Sequence, residues 1–562
     1  MLTKGNVILW MPRIVFLAIA IGCIGQYLYY ISAILPFAYD WEPTDGDHVN
    51  FAHRLAQGLP IYLSIRAGEV LSIYNPLYHG IVGILGGEYA SLSFARTVSF
   101  IFWALIPLTV FIYFRKKWGY FYALSAAIFI WLPAEPMMLM DIVQVSPNST
   151  MAFLFLATLL YAEHCSENNN TQWWGWVVLG GVSALCYLAK QQGLIAFISI
   201  MTFLLIKRCD FRKLSLTVLG FLLVFIISTA YLEWANSGEY LRSTIIDLRQ
   251  IMITSPSLAR SRLIAFIYDA NFYFVAGVIA SFVTIRFRLS RFTVWHTGFI
   301  LHIPFLLSML GNGGGGPNYF ITFWIVIVLI CVGLVKGTES GQVAVKYLWS
   351  ILLLLTSSIY FVYETRPIVF LVVLLVLLAG LFVSYKYSNR SLVIDDAAAK
   401  MKKLGLSDSL VFSQTLLILL FLNVSIATFE IRRNLNSISL PTQTLNQMMQ
   451  VYYESIGGLL EMKPNARVLT NRNIGALVEH GADVKNEGAT MFSYAWGFPG
   501  LFPREVLLSS IRAKKFDLIT TGLQAYPEEV SKAINDNYKV AFANEINMLW
   551  GNVGLVTVYI PK

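Results

Sequence analysis

The stretch Asp40-Trp41-Glu42-Pro43-Thr44-Asp45-Gly46-Asp47-His48 crowds four carboxylates together beside long apolar runs. Carboxylates so grouped suit two chemistries: taking the proton of an attacking hydroxyl, or holding a divalent ion with an imidazole. One acid at a helix start is explained by capping, worth about 0.5–2 kcal/mol. Four exceed that need. At least one of them is a candidate for a catalytic or metal-binding role. His48 and His79 could join Asp45 and Asp47 around a divalent ion such as Mg or Mn, although the spacing matches no strong metal motif.

A second group is Lys190-Gln191-Gln192, a tight polar turn between two apolar runs. A lone lysine at a span end ordinarily snorkels to water. A cation beside amide donors also suits a phosphate at headgroup level, with Lys190 and Gln191 as its ligands and Arg54 in support. The third group is Gly311-Asn312-Gly313-Gly314-Gly315-Gly316-Pro317-Asn318-Tyr319. Its glycines permit close backbone approach, and a flexible connector is the plainer reading. Asn318 and Tyr319 are the more specific part, as candidate lining of a sugar or lipid pocket together with Tyr78 and His79. Pro147-Asn148-Ser149-Thr150 reads as a helix start with natural caps.

The elements that must hold these residues are set by composition. Of 562 residues, 57% are hydrophobic and only 13% charged, against about 25% charged in soluble domains. That excludes a soluble enzyme, a disordered regulator and a nucleic-acid binder, despite the net charge of +9. Apolar runs near the ~20 residues of a span begin around Ile14, Ala90, Phe121, Met151, Trp174, Leu194, Ser215, Leu263, Phe292, Phe320, Val345, Ile368 and Val411. The chain reads as a polytopic α-helical membrane protein of about thirteen spans. The first run is too long for a signal-peptide core and reads as an uncleaved anchor.

Arg115-Lys116-Lys117, Lys207-Arg208, Arg212-Lys213, Arg286 to Arg291 and Lys386 to Lys403 fall in alternate loops. By the positive-inside rule those loops and the N-terminus are cytoplasmic. The loop from Glu233 to Arg262 carries arginines on the other side and runs against the rule. The five cysteines imply no disulfide framework and no metal pair. Residues 1–429 form the membrane domain. Its first outer loop, 37–89, is expected to carry two short surface helices. One has Phe51, Ala52, Leu55 and Ala56 on one face and stops at Gly58 and Pro60; Asn75 caps the next and Pro76 starts it. Residues 430–562 read as a small extracytoplasmic α/β domain, with strands near Val468, Leu518 and Val556 and helices near Arg504 and Pro527.

Taken in order, these motifs resemble the polytopic glycosyltransferases of the GT-C fold, which include protein mannosyltransferases and the aminoarabinose transferases of lipid A. Asp45-Gly46-Asp47, Gly58-Leu59-Pro60-Ile61-Tyr62 and Pro76-Leu77-Tyr78 are similar to the first-loop signatures of the bacterial envelope branch. Lys190-Gln191 and Asn318-Tyr319-Phe320 are similar to its later ones. Many of these relatives place a second acid at the start of the fourth span, where this chain has Asn148. The resemblance implies a bacterial inner-membrane enzyme acting on its outer face, with a polyprenyl-phosphate sugar as donor. The acceptor would be a glycan, lipid or protein, and the anomeric centre would invert, with Asp47 as the base and Asp45 as its partner or a metal ligand. A lipid-linked sugar transporter or flippase, or a noncatalytic envelope-assembly protein, are the alternatives.

Overall fold

The computed structural model describes residues 4–40, 44–67, 72–132, 144–168, 171–247, 255–269, 292–311, 317–339, 443–463, 466–470, 474–482, 502–521, 526–547 and 553–562, plus a few single positions between them. The spans expected from Val345, Ile368 and Val411, the acid Asp141 and the glycines after Gly311 lie outside the described residues.

The membrane part comprises α1 (Lys4–Ile34), α2 (Asp45–Ala56), α3 (Leu77–Gly86), α4 (Leu92–Trp118), α5 (Tyr120–Trp131), α6 (Asn148–Glu167), α7 (Trp173–Ala189), α8 (Leu194–Ile206), α9 (Phe211–Ala235), α10 (Pro256–Asp269), α11 (Val294–Met309) and α12 (Ile321–Glu339). Phe16–Ile34, Leu92–Trp118, Phe211–Ala235 and Asn318–Lys336 are long and apolar enough to cross a bilayer. Shorter apolar helices, among them α5, α7, α8 and α11, pack beside them. Local chemistry sets the ends of α4. Ser91 caps it by accepting from the Phe94 N–H, three basic residues complement the dipole of its last turn, and Gly119 stops it at φ 84°.

Helix α9 shows what surrounds the bundle. It exposes Leu222, Leu223, Ile226 and Ile227 along its length, and Phe211 and Trp234 at its two ends. In water so much bare apolar surface is unfavourable at about 25 cal/mol per Å². In a bilayer it faces lipid, with aromatic rings at the interfaces. The chain is a multi-pass membrane protein.

The C-terminal region holds α13 (Gln443–Met462), β1 (Val468–Thr470), α14 (Gly475–Glu479), α15 (Arg504–Arg512), β2 (Leu518–Thr521), α16 (Glu528–Asn537), β3 (Tyr538–Asn547) and β4 (Val553–Pro561). The sheet order is β1-β2-β4-β3, with β1 and β2 parallel and the other pairs antiparallel. Leu469, Leu507, Ile511, Ile519, Val530 and Ile534 fill its core. Strand β3 has no counterpart in the sequence reading. It is an edge strand with an irregularity between Val540 and Phe542, and Val540 is exposed, so it lacks a clean apolar alternation.

One expectation is corrected here. Helix α2 is not an exposed surface helix, because nine of its twelve residues are buried by protein. The C-terminal region covers it: Tyr453, Ala476 and Leu477 share a core with Val49 and Ala52, and Asn50 Nδ2 donates to the Val484 carbonyl over 3.1 Å. Gly46 makes the approach possible, since a Cβ there would lie 2.4 Å from the Gly475 nitrogen. By contrast, α3 leaves Ile84 and Leu85 exposed.

Candidate active site

The polar motifs gather at one end of the bundle. Arg96, in the first turns of α4, pairs with Asp45 of α2. Asn148 begins α6, and Lys190 follows the last residue of α7. Asn236, just beyond α9, accepts from the Ile61 and Tyr62 N–H groups, and Tyr319 precedes α12. The basic turns lie at the opposite end, where Lys117 pairs with Glu167 over 2.6 Å and Lys336 stands 5.3 Å from the Tyr122 ring. Asp47 and Lys190 therefore share one side of the molecule.

Asp45 is a brace within this end. Arg96 donates to Asp45 Oδ2 over 2.6 Å with both side chains fully buried. The same guanidinium reaches the carbonyls of Phe37 and Tyr39. Asp45 Oδ1 accepts the Val145 N–H at 2.9 Å, three residues before Asn148. One carboxylate thus ties α2, α4 and the entry to α6. Arg96 was absent from the sequence reading; its signal was a lone arginine inside an apolar span, where charge is costly.

At about 100° per residue, the neighbours of α2 divide its faces. Asp45 turns to α4, Gly46 and Asn50 to the C-terminal region, and His48 and Ala52 to α3. Asp47 shares the remaining face with Phe51 and Arg54 and is itself buried, at 1% exposure. Phe51 packs there with Ile61, Tyr62, Leu232 and Tyr240.

Lys190 is the centre of the site. Its Nζ donates to Asn148 Oδ1 over 2.6 Å, and it lies 5.3 Å from the Tyr319 ring and 6.0 Å from the Tyr74 ring. Gly193 allows the turn that carries it, because a Cβ there would sit 2.1 Å from the Cys186 carbonyl oxygen. Asn148 is not the cap expected from its position: α6 has no side-chain cap, and the amide is turned to Lys190. Asn75 does not cap α3 either. It donates to the Tyr187 carbonyl and accepts from the Tyr240 hydroxyl at 3.1 Å, tying the first loop to α7 and the segment after α9.

His48 and His79 meet beside the lysine. His48 Nδ1 is 2.8 Å from His79 Nε2, and the Tyr74 ring is 5.1 Å from that of His48. Both histidines are in α2 and α3, outside the spans. Burial, then His79 and Lys190, hold His48 well below the ordinary imidazole range; burial pushes His79 down to about 3. Both are neutral near pH 7.

The expected metal trio does not fit a cation as arranged. Asp45 is drawn to Arg96 and the Val145 N–H, and His48 Nδ1 faces His79. Among the described residues no three His, Cys, Asp or Glu side chains converge as a metal site.

Other predicted residues take varied places. Gln191 donates to the Ile73 carbonyl, whereas Gln192 hydrogen-bonds Tyr319. Arg54 lies about 10 Å along α2 from Asp47 and donates to the Pro60 carbonyl over 3.0 Å. Tyr78 is buried against α4, its hydroxyl 2.8 Å from Ser99 Oγ and 3.0 Å from the Ala95 carbonyl. Asn318 keeps a buried side-chain oxygen with no protein partner among the described residues.

A family model described as dolichyl-phosphate-mannose-protein mannosyltransferase matches residues 84–234. No curated protein matches the chain by sequence. Among solved structures, ArnT from Cupriavidus metallidurans bound to undecaprenyl phosphate is 13% identical, with a TM-score of 0.52 and 97% of each chain covered. The apo state of the same protein gives 12% identity and a TM-score of 0.54, again over 97% of each chain. With its apolar helices, its small C-terminal sheet and these two superpositions, the chain has the GT-C fold of membrane glycosyltransferases.

Proposed function

We propose that this protein is an inverting glycosyltransferase that moves a sugar from a polyprenyl-phosphate donor to a glycan, lipid or protein acceptor at the outer face of a bacterial inner membrane. The observation that carries the reading is the place of Lys190. Its ammonium meets an amide oxygen and two aromatic rings, at the end of the bundle where the acid-bearing helix α2 lies. A fixed cation there offsets the charge gathering on a departing phosphate.

The chemistry needs few parts. Asp47 takes the proton of the acceptor hydroxyl as its oxygen attacks the anomeric carbon. The bond from that carbon to the phosphate oxygen breaks on the opposite side, and the sugar inverts. Polyprenyl phosphate leaves as an anion and needs no proton, because Lys190 stabilises it. Asp45 keeps α2 in register with Asn148, and Tyr319 and Asn318 line the pocket. The donor's tail remains among apolar helices.

The test is transfer of a labelled sugar from polyprenyl-phosphoryl donors by purified protein in liposomes, with lipid translocation followed in the same vesicles. Transfer supports the reading. Translocation without transfer makes the protein a transporter, and neither activity makes it an assembly factor.

A further inference from the structure

We infer that Tyr78 and Ser99 are positioning residues for the phosphate site: their hydroxyls hold the backbone that enters α6 so that Asn148 presents its amide oxygen to Lys190. The inference rests on the proposed transferase reading and deepens it by assigning what sets the geometry of the lysine.

A serine or threonine inside a helix commonly donates to the carbonyl four residues back. Thr97, Ser125, Thr158 and Thr217 all do so here, over 2.6–2.9 Å. Ser99 of α4 does not. The Tyr78 hydroxyl, reaching across from α3, stands 3.0 Å from the Ala95 carbonyl where that bond would form, and 2.8 Å from Ser99 Oγ. Ser99 serves instead the segment before α6. Its Oγ accepts from the Ser146 N–H at 3.3 Å and lies 3.2 Å from the Ser146 carbonyl oxygen. Whichever way the two hydroxyl protons point, the Ser146 N–H has Ser99 as its acceptor.

Residues 144–147 are not helical, so their buried backbone groups need partners from elsewhere. Arg96 and Ser99, three residues apart on α4, lie on one face of that helix and supply them together. Arg96 holds Asp45, whose Oδ1 takes the Val145 N–H at 2.9 Å, and Ser99 takes the next N–H. Ser146 Oγ in turn accepts from the Asn148 N–H at 3.3 Å. The Asn148 backbone is thereby supported, and its side-chain oxygen accepts from Lys190 over 2.6 Å. Tyr78, Ser99, Ser146 and Asn148 are all buried, where the loss of one such bond is not made good by water. Tyr78 therefore acts behind the pocket, through Asn148, and not by touching the sugar.

The test uses the full-length protein in nanodiscs, with undecaprenyl phosphate as the probe and binding measured at two ionic strengths. Tyr78→Phe and Ser99→Ala should each weaken binding about three- to tenfold and flatten its salt dependence, as loss of the Lys190 contact would. Asn148→Ala should lose about as much. Adding Tyr78→Phe to it should cost nothing further, because both act through one contact. Thr158→Val, which removes a back-bonded hydroxyl from α6, should leave affinity unchanged. Losses that multiply in the Tyr78→Phe/Asn148→Ala protein, single variants that bind as wild type does, or an equal loss in Thr158→Val would each overturn the inference. Failure of the wild type to bind the lipid would instead remove the transferase reading.

Discussion

Lys190 Nζ and Asn148 Oδ1 are joined by a 2.6 Å hydrogen bond between the end of α7 and the start of α6. An amide orients the ammonium without neutralising it. Asn148→Asp should turn the contact into an ion pair and lower affinity for undecaprenyl phosphate about ten- to hundredfold. Lys190→Gln should lower it by a similar factor and flatten its salt dependence. Equilibrium binding at two ionic strengths checks both, and unchanged affinity in either variant refutes the role of Lys190.

Asp47→Asn should fold normally, bind the donor lipid and lose about 10²- to 10⁴-fold in transfer rate. Mass spectrometry of lipid co-purifying with this variant should reveal trapped, unreacted polyprenyl-phosphate sugar. Retained turnover would move the base elsewhere.

The Asp45–Arg96 pair is fully buried, so removing one partner strands a charge. Asp45→Asn or Arg96→Met alone should cost roughly 3–5 kcal/mol. The double replacement should cost less than the sum, because neither charge is left behind. Thermal unfolding in detergent gives the comparison, and additive losses would show that the two do not act as a pair.

Asp40 joins the first loop to the C-terminal region: its Oδ2 accepts from the Tyr453 hydroxyl and the Gly475 N–H, each at 3.0 Å. Burial, then the Asp45 charge, push its carboxyl up to about 7, against the pull of Tyr453, Arg96 and Gly475. The folded state holds this proton more tightly than the unfolded chain, so the contribution is whole in acid and is lost as pH rises from about 4 through 7. Protease release of the C-terminal region should therefore quicken in wild type relative to Asp40→Asn between pH 5.5 and about 8, the comparison in which the two histidines cancel. His48 and His79 act in the opposite sense, their stability falling as pH drops below about 6.5, and they do so in both proteins.

Gly46→Ala would drive a methyl into the Gly475 backbone. It should loosen the C-terminal region from α2 and lower transfer while the bundle stays folded. Hydrogen exchange across residues 474–482 would show the loosening directly; unchanged protection there would deny the contact its part.

The sequence by itself determined what depends on neighbours along the chain. Apolar runs near the thickness of a bilayer dictated spanning helices, and the placing of Asp45, Asp47, Lys190 and Tyr319 at run ends marked the turns where polar side chains gather. Partners far apart in sequence were beyond it. That Asp45 would be drawn to Arg96, that Gln192 rather than Gln191 would face Tyr319, and that Asn148 would turn to Lys190 instead of capping its helix, all follow from how helices pack. Local capping is worth about a kilocalorie, whereas a buried charge or amide without a partner costs more. Tertiary packing therefore overrode the local preference wherever the two competed, and it did so most at the site, where polar groups had to find one another away from water.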